Sequence, residues 1–479
     1  MLKQTVLIIT LCTSVILADN GNLSPETVTE LQQTFVRDTH TTALQNALNN
    51  TPIKALAQNR QVLSAHNTTF SHKVKAKGIS NQKSSGRCWM FAGFNTLRPM
   101  IMKNRDLDEF EFSHIYLQFW DKLEKANAFL EYMIEFRDRD VLDRDISFLM
   151  KAPCPDGGYW ENFVDLVRKY GVIPKVAMAE TTSSEATGMM NKNLNRVLRK
   201  HGGQMRQVFQ KTGSVERMRA AKTKALADIY RILVMNLGQP PKEFTWRYKI
   251  KKDKDKDKDT DEKEADQKKE DYEVAQALSA LKTYTPKSFY AEHIGVDLSD
   301  YVNIADDPIR PKGTHCEILI TKNMSDGQNA HYANVSMDVL KKVALAMLLD
   351  NQVVWFAADV SPNQDSTKGI MEASLYDYES VYALDMSIDK RQRLLFRDST
   401  VNHAMAFIGV DLVDSKPVKW LVENSWGSER GKKGLWTMYD NWFEANVFTL
   451  ITHKRYVSDE VLKILEKPVQ KQPVWDPMW

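Results

Sequence analysis

The chain has 479 residues, 43% of them hydrophobic, and its 65 basic and 62 acidic residues leave a formal charge of only +3. That apolar content excludes an intrinsically disordered chain and supplies a large core, with a length that suggests two or three domains. The near balance of charge gives no bulk field to attract a polyanion, and four cysteines are too few for a disulfide framework.

Lys3 is followed by the apolar stretch Thr5 to Ala18, and polar sequence begins at Asp19. This layout reads as a secretory signal peptide over residues 1–18, cleaved after Ala18, and it is too short to cross a bilayer comfortably. The expectation is an exported protein (periplasmic, secreted or in an endomembrane lumen) with no membrane span once the signal is removed. A buried N-terminal helix is the plainer alternative. Cys12 follows Leu11, where a lipoprotein signal wants a small residue, so no lipid anchor is expected. Cys154 and Cys316 are available for one bridge that leaves Cys88 free, and sequons stand at Asn22, Asn49, Asn67, Asn323 and Asn334.

Ser24 and Pro25 open a helical stretch to Asn49, with a cap residue and a proline at the first helical position. After a connector to Lys77 comes Asn81 to Ala92, NQKSSGRCWMFA. Apolar residues recur at helical spacing after Cys88, while Ser84, Ser85 and Gly86 are turn and cap residues, so Cys88 starts a helix. Free backbone N–H groups and the helix dipole there lower a thiol pKa, which suits a nucleophile. Gln82 carries an amide N–H suited to an oxyanion.

Phe110 to Arg137 reads as a long helix capped by Ser113, and Asp156-Gly157-Gly158 as a turn feeding a helix that ends near Gly171. Residues 183–235 are helix-prone and polar. Lys249 to Asp271 holds nine lysines and ten acids and reads as a solvated surface loop. Its acidic residues fall faintly at calcium-loop spacing, but Lys258 occupies the position that needs glycine, so no metal is expected. Ser336 to Gln352 places Leu340, Val343, Ala344, Met347 and Leu348 on one helix face. Strand-like runs follow at 353–360, 405–413, 418–422, 434–439 and 447–453, which suit an antiparallel sheet. The fold class expected is α+β.

A nucleophilic cysteine needs a base, and the base needs an orienter. His403 heads the apolar run 401–413, and Asn424 ends the next strand, placed to accept the imidazole N–H while Trp426 covers that bond from water. Gln82, Cys88-Trp89, His403-Ala404 and Asn424-Ser425-Trp426-Gly427 resemble the active-site motifs of papain-like cysteine peptidases, specifically the bleomycin hydrolase or aminopeptidase C family. Further blocks, including Phe110 to Asn127, Asp156 to Lys175, Val353 to Ser361 and Trp420 to Gly434, resemble that family in order over roughly residues 25–479. The 315 residues between nucleophile and base (403 − 88) fit its large insertions.

The resemblance implies a two-lobed fold: a helical lobe with the cysteine, a sheet lobe with the histidine and asparagine, helical insertions and a C-terminal arm. The boundaries expected are signal 1–18, helical extension 19–78, helical lobe 79–335, helix plus sheet 336–465 and arm 466–479. It implies a peptidase acting through a thioester on peptide substrates without a cofactor, with Gly157 and Gly158 in the substrate cleft beside Trp426 and Trp479. In the family the arm lies in its own cleft and its terminal carboxylate holds the substrate amine, which makes an aminopeptidase. Here the arm stops at Trp479, about three residues short of the family's usual length. An endopeptidase is therefore the alternative, and a third is a papain-like scaffold for nucleic-acid or protein binding. The resemblance further implies a homohexamer.

Overall fold

The computed structural model describes residues 21–75, 77–250 and 278–478. The signal-peptide reading, the loop reading of 251–271 and the cleft role of Trp479 therefore lie outside the described residues.

Two compact units are present, one formed by the segments up to Asn59 with Tyr376–Met386, the other by Arg60–Leu375 with the segment from Ser387 onward. The first holds the helices Pro25–Thr34 and Thr39–Asn50. The expected single helical stretch is broken because Asp38 caps a new helix, accepting from the Thr41 amide at 2.7 Å, while Ser24 caps the first as read.

The second unit carries the site. Its main helices are α1 (Cys88–Asn104), α2 (His114–Glu135), α3 (Trp160–Tyr170), the inserted pair α4 (Gly188–Thr212) and α5 (Val215–Leu237), and α6 (Met337–Leu349). Ser113 caps α2. Gly171 ends α3 at φ 72°, where an added Cβ would meet the Pro286 backbone at 2.4 Å. The face of α6 buries the five residues read from its period.

The strands are β1 (Tyr301–Ala305), β2 (His315–Ile318), β3 (His331–Asn334), β4 (Val354–Ala358), β5 (His403–Val413), β6 (Lys416–Glu423), β7 (Leu435–Tyr439), β8 (Val447–His453) and β9 (Gln470–Gln472). They lie side by side as β9-β2-β3-β1-β8-β4-β5-β6-β7, within a sheet of 12 strands. Two expectations are corrected here. Residues 301–334, read as part of the helical lobe, supply three strands, too short and too interrupted by Asp, Pro and Gly to show a period. The sheet is also mixed, since β1 pairs parallel to β3 and β9 parallel to β2.

One core packs α6 on the sheet around Phe356, Phe407, Trp420 and Trp442. A second joins α1 and α3 to the other face through Trp89, Phe94, Phe163 and Trp355. A third packs α2 against the inserted pair around Phe129, Leu194 and Ile229. This mixed architecture is of the expected α+β class. Cys154 and Cys316 are free, and they sit in separate cores, so the available bridge is not made. Asn323 and Asn334 are buried, which removes two of the five sequons from consideration.

Candidate active site

Cys88 is the first residue of α1, and no side chain caps that helix. Ser84 and Ser85 are not caps, as their sequence position suggested. The Ser85 hydroxyl instead donates to the Gln82 carbonyl at 2.6 Å and accepts from Arg87 Nε at 3.0 Å. An uncapped N-terminus leaves its first amides free to meet negative charge.

The base arrives from the sheet. His403 opens β5, and its Nε2 donates to Asn424 Oδ1 at 2.9 Å, so Nδ1 is left for the half-buried Cys88 thiol. Burial alone would push the thiol up, but the His403 imidazole beside it, with the Ala404 and Trp89 backbone amides, brings Cys88 below its ordinary range. Burial likewise opposes charge on His403, yet the Cys88 thiolate and Asn424 together raise it. The two shifts have one meaning: a thiolate–imidazolium pair.

The Trp426 ring lies 4.9 Å from that of His403 and edge-on to Trp436 at 5.2 Å. It packs against the His403 ring and does not line the cavity, so its expected place in the substrate cleft is corrected. Gln82 is buried; its Nε2 donates to the Ser85 carbonyl at 2.5 Å, and its second amide proton is the one available to an oxyanion. Ser425 entered the sequence reading only as a member of the Asn424–Gly427 motif, with no role of its own. Its hydroxyl donates to Gln82 Oε1 at 2.6 Å, and its carbonyl accepts the Gln82 amide at 2.8 Å. One residue thereby ties the oxyanion donor to the orienter's neighbour, and only its place directly after Asn424 hinted at this.

Two buried ion pairs, also unread in the sequence, lock the frame. Arg98 of α1 meets Glu423, the residue before Asn424, at 2.7 Å. Arg87 meets Glu180 at 2.9 Å, ahead of the inserted helices. For Arg98 and Glu423 a charge in an otherwise apolar run was the available signal, whereas Arg87 and Glu180 stand beside polar residues and carried none.

Cys88 and His403 open on a cavity of about 500 Å³. Gly157 and Gly158 line it, as the resemblance implied. A Cβ on Gly158 would strike the Trp89 ring at 2.6 Å, whereas one on Gly157 would meet nothing within 4 Å. Val474 of the arm also lines the cavity. Its neighbours anchor it: β9 extends the sheet beside β2, buried Asp476 pairs with Arg310, and Met478 is fully buried.

A thiolate, an imidazolium, its orienter and an amide donor beside one cavity form the equipment for acyl transfer at a carbonyl. The family model for the peptidase C1-like family matches residues 22–479. The chain belongs to that family. It is 35% identical to aminopeptidase C of Lactobacillus delbrueckii subsp. lactis over 416 residues, 86% of this chain and 87% of that one. With human bleomycin hydrolase it shares 33% identity over 472 residues, 96% and 98% of the two chains. The crystal structure of PepW from Lactobacillus rhamnosis superposes with a TM-score of 0.87 at 33% identity, covering 95% of this chain and 98% of that one. The peptidase C1-like protein is thus a papain-like cysteine peptidase. No cluster of potential metal ligands is present among the described residues.

Proposed function

We propose that this cysteine peptidase is an aminopeptidase that removes residues from the free N-terminus of peptides. The observation that carries the reading is the docked arm, which brings Val474 into the cavity that holds Cys88 and His403. A wall made of the chain's own C-terminal segment limits how much peptide fits on the amino side of the scissile bond. The likeness to aminopeptidase C and bleomycin hydrolase supports the same reading.

In the reaction, the Cys88 thiolate attacks the peptide carbonyl carbon and the carbonyl pair moves to oxygen. The second Gln82 amide proton and the Cys88 backbone N–H stabilise that oxyanion. As the C–N bond breaks, imidazolium His403 gives its proton to the leaving amine, and a thioester remains. His403, now neutral, takes a proton from water, whose oxygen displaces the thiolate and releases the acid.

Two further parts of the proposal concern export and assembly. The apolar stretch from Thr5 to Ala18 behind Lys3 supports export, and exposed Asn22, Asn49 and Asn67 are compatible with a glycosylating lumen. The family resemblance supports a homohexamer. A monomer mass by light scattering refutes the assembly, and an intact Thr5 to Ala18 in the mature protein refutes export by cleavage. The aminopeptidase itself is tested by comparing an aminoacyl coumarin amide with its N-acetylated form: equal turnover of the blocked substrate overturns it.

A further inference from the structure

We propose that Asp156 is a positioning residue that holds the loop before the nucleophile and the substrate wall in one frame. Asp156 immediately precedes Gly157 and Gly158 in the wall. Its Oδ2 accepts the Gly86 amide at 3.0 Å, two residues before Cys88, and the Thr187 hydroxyl at 2.5 Å. Its Oδ1 receives buried Lys122 Nζ at 2.7 Å and Asn191 Nδ2 at 2.8 Å. Its backbone carbonyl accepts Trp89 Nε1 at 2.9 Å. One residue therefore touches the nucleophile loop, the nucleophile's neighbour, α2 and the inserted helix α4.

The contact is too close to be incidental. A Cβ on Gly86 would stand 2.8 Å from Asp156 Cβ, so the loop reaches the carboxylate only because that position is glycine. The carboxylate stays ionised. Burial disfavours its charge, but Lys122, the Gly86 N–H and Thr187 hold it far below the usual carboxylate range. Lys125 continues the brace along the wall, donating to the carbonyls of Pro155 at 3.1 Å and Gly157 at 2.6 Å. Asp156 makes no contact with Cys88 or His403 among these bonds, so it acts through geometry. By fixing Gly86 it fixes the loop that leads into the Cys88 N–H, one of the two oxyanion donors, and a displacement near 1 Å there costs about 100-fold in rate.

This assignment rests on the peptidase reading, so its test separates the two. Iodoacetamide alkylation of Cys88 needs only the thiolate, whereas an aminoacyl chloromethyl ketone also draws on the oxyanion donors and the wall. In Asp156→Asn the ketone inactivation rate should fall at least about tenfold, while the pH profile of iodoacetamide alkylation stays that of the wild type. Because Asp156→Asn strands the buried Lys122 charge, the double variant Asp156→Asn/Lys122→Met is measured as well, and the same selective loss is expected of it. A wild-type ketone rate in either folded variant overturns the proposal. Equal losses of both rates overturn it too, since they would place the effect in the ion pair. Failure of the wild type to cleave any amide refutes the peptidase reading and leaves this comparison readable.

Discussion

Replacing Asn424 by alanine removes the one side-chain acceptor for His403 Nε2 among the described residues, a bond of 2.9 Å between two buried groups under Trp426. A hydrogen bond to a charged partner contributes about 1.5–3 kcal/mol. With about 1.4 kcal/mol per decade of rate, kcat should fall between roughly 10-fold and 150-fold. The pH dependence fixes the cause. Asn424 raises the His403 pKa, so losing it lowers that pKa and the imidazolium is lost at lower pH. The alkaline limb of kcat/KM therefore moves toward acid, and iodoacetamide reactivity at neutral pH falls as the ion pair is depleted. Steady-state assays across pH with alkylation rates in parallel measure both. An Asn424→Ala enzyme within twofold of wild type, or one with an unmoved alkaline limb, would refute the reasoning.

Cys88→Ala should abolish turnover and also labelling by iodoacetamide at mildly acidic pH, because burial pushes the Cys154 thiol up to about 11 and raises Cys316 as well; mass spectrometry of the labelled peptides checks it. Arg98→Met leaves Glu423 buried and unpaired and should cost about 3–5 kcal/mol in urea unfolding. Burial already raises the Glu423 pKa and Arg98 opposes that rise, so the variant's folded state takes up a proton and the deficit should shrink as pH falls. Phe148 is 42% exposed at the rim of a cavity whose wall includes Phe129, Tyr132 and Leu149. Phe148→Ser should lower kcat/KM for leucyl or phenylalanyl amides about tenfold and spare glycyl amides, as a contact of about 1.4 kcal/mol implies.

The residues the structure brings together at the candidate site were legible because each sits in a local pattern. Cys88 needs a helix start, and His403 and Asn424 need the ends of neighbouring strands. What holds them was less legible. Asp156, Arg87, Arg98 and Ser425 each hold a partner far along the chain, Gly86–Asp156 at 70 positions and Gln82–Ser425 at 343 among them, and no local period records such pairings. The strands at 301–334 were missed for a related reason. With four or five residues each, they owe their conformation to neighbours such as β8 rather than to alternation of their own. The arm was legible only by resemblance, since three prolines and no helical period equally describe a loose tail.

The bond between Gln82 and Ser425 joins residues 343 positions apart. At a synthesis rate of about 5–20 residues per second, the thiol at Cys88 waits tens of seconds for its base. Throughout that interval the cysteine lacks the neighbour that lowers its pKa, and it behaves as an ordinary thiol. The thiolate–imidazolium pair exists only once β5 has packed against α1, so thiolate reactivity reports on the docking of those two elements.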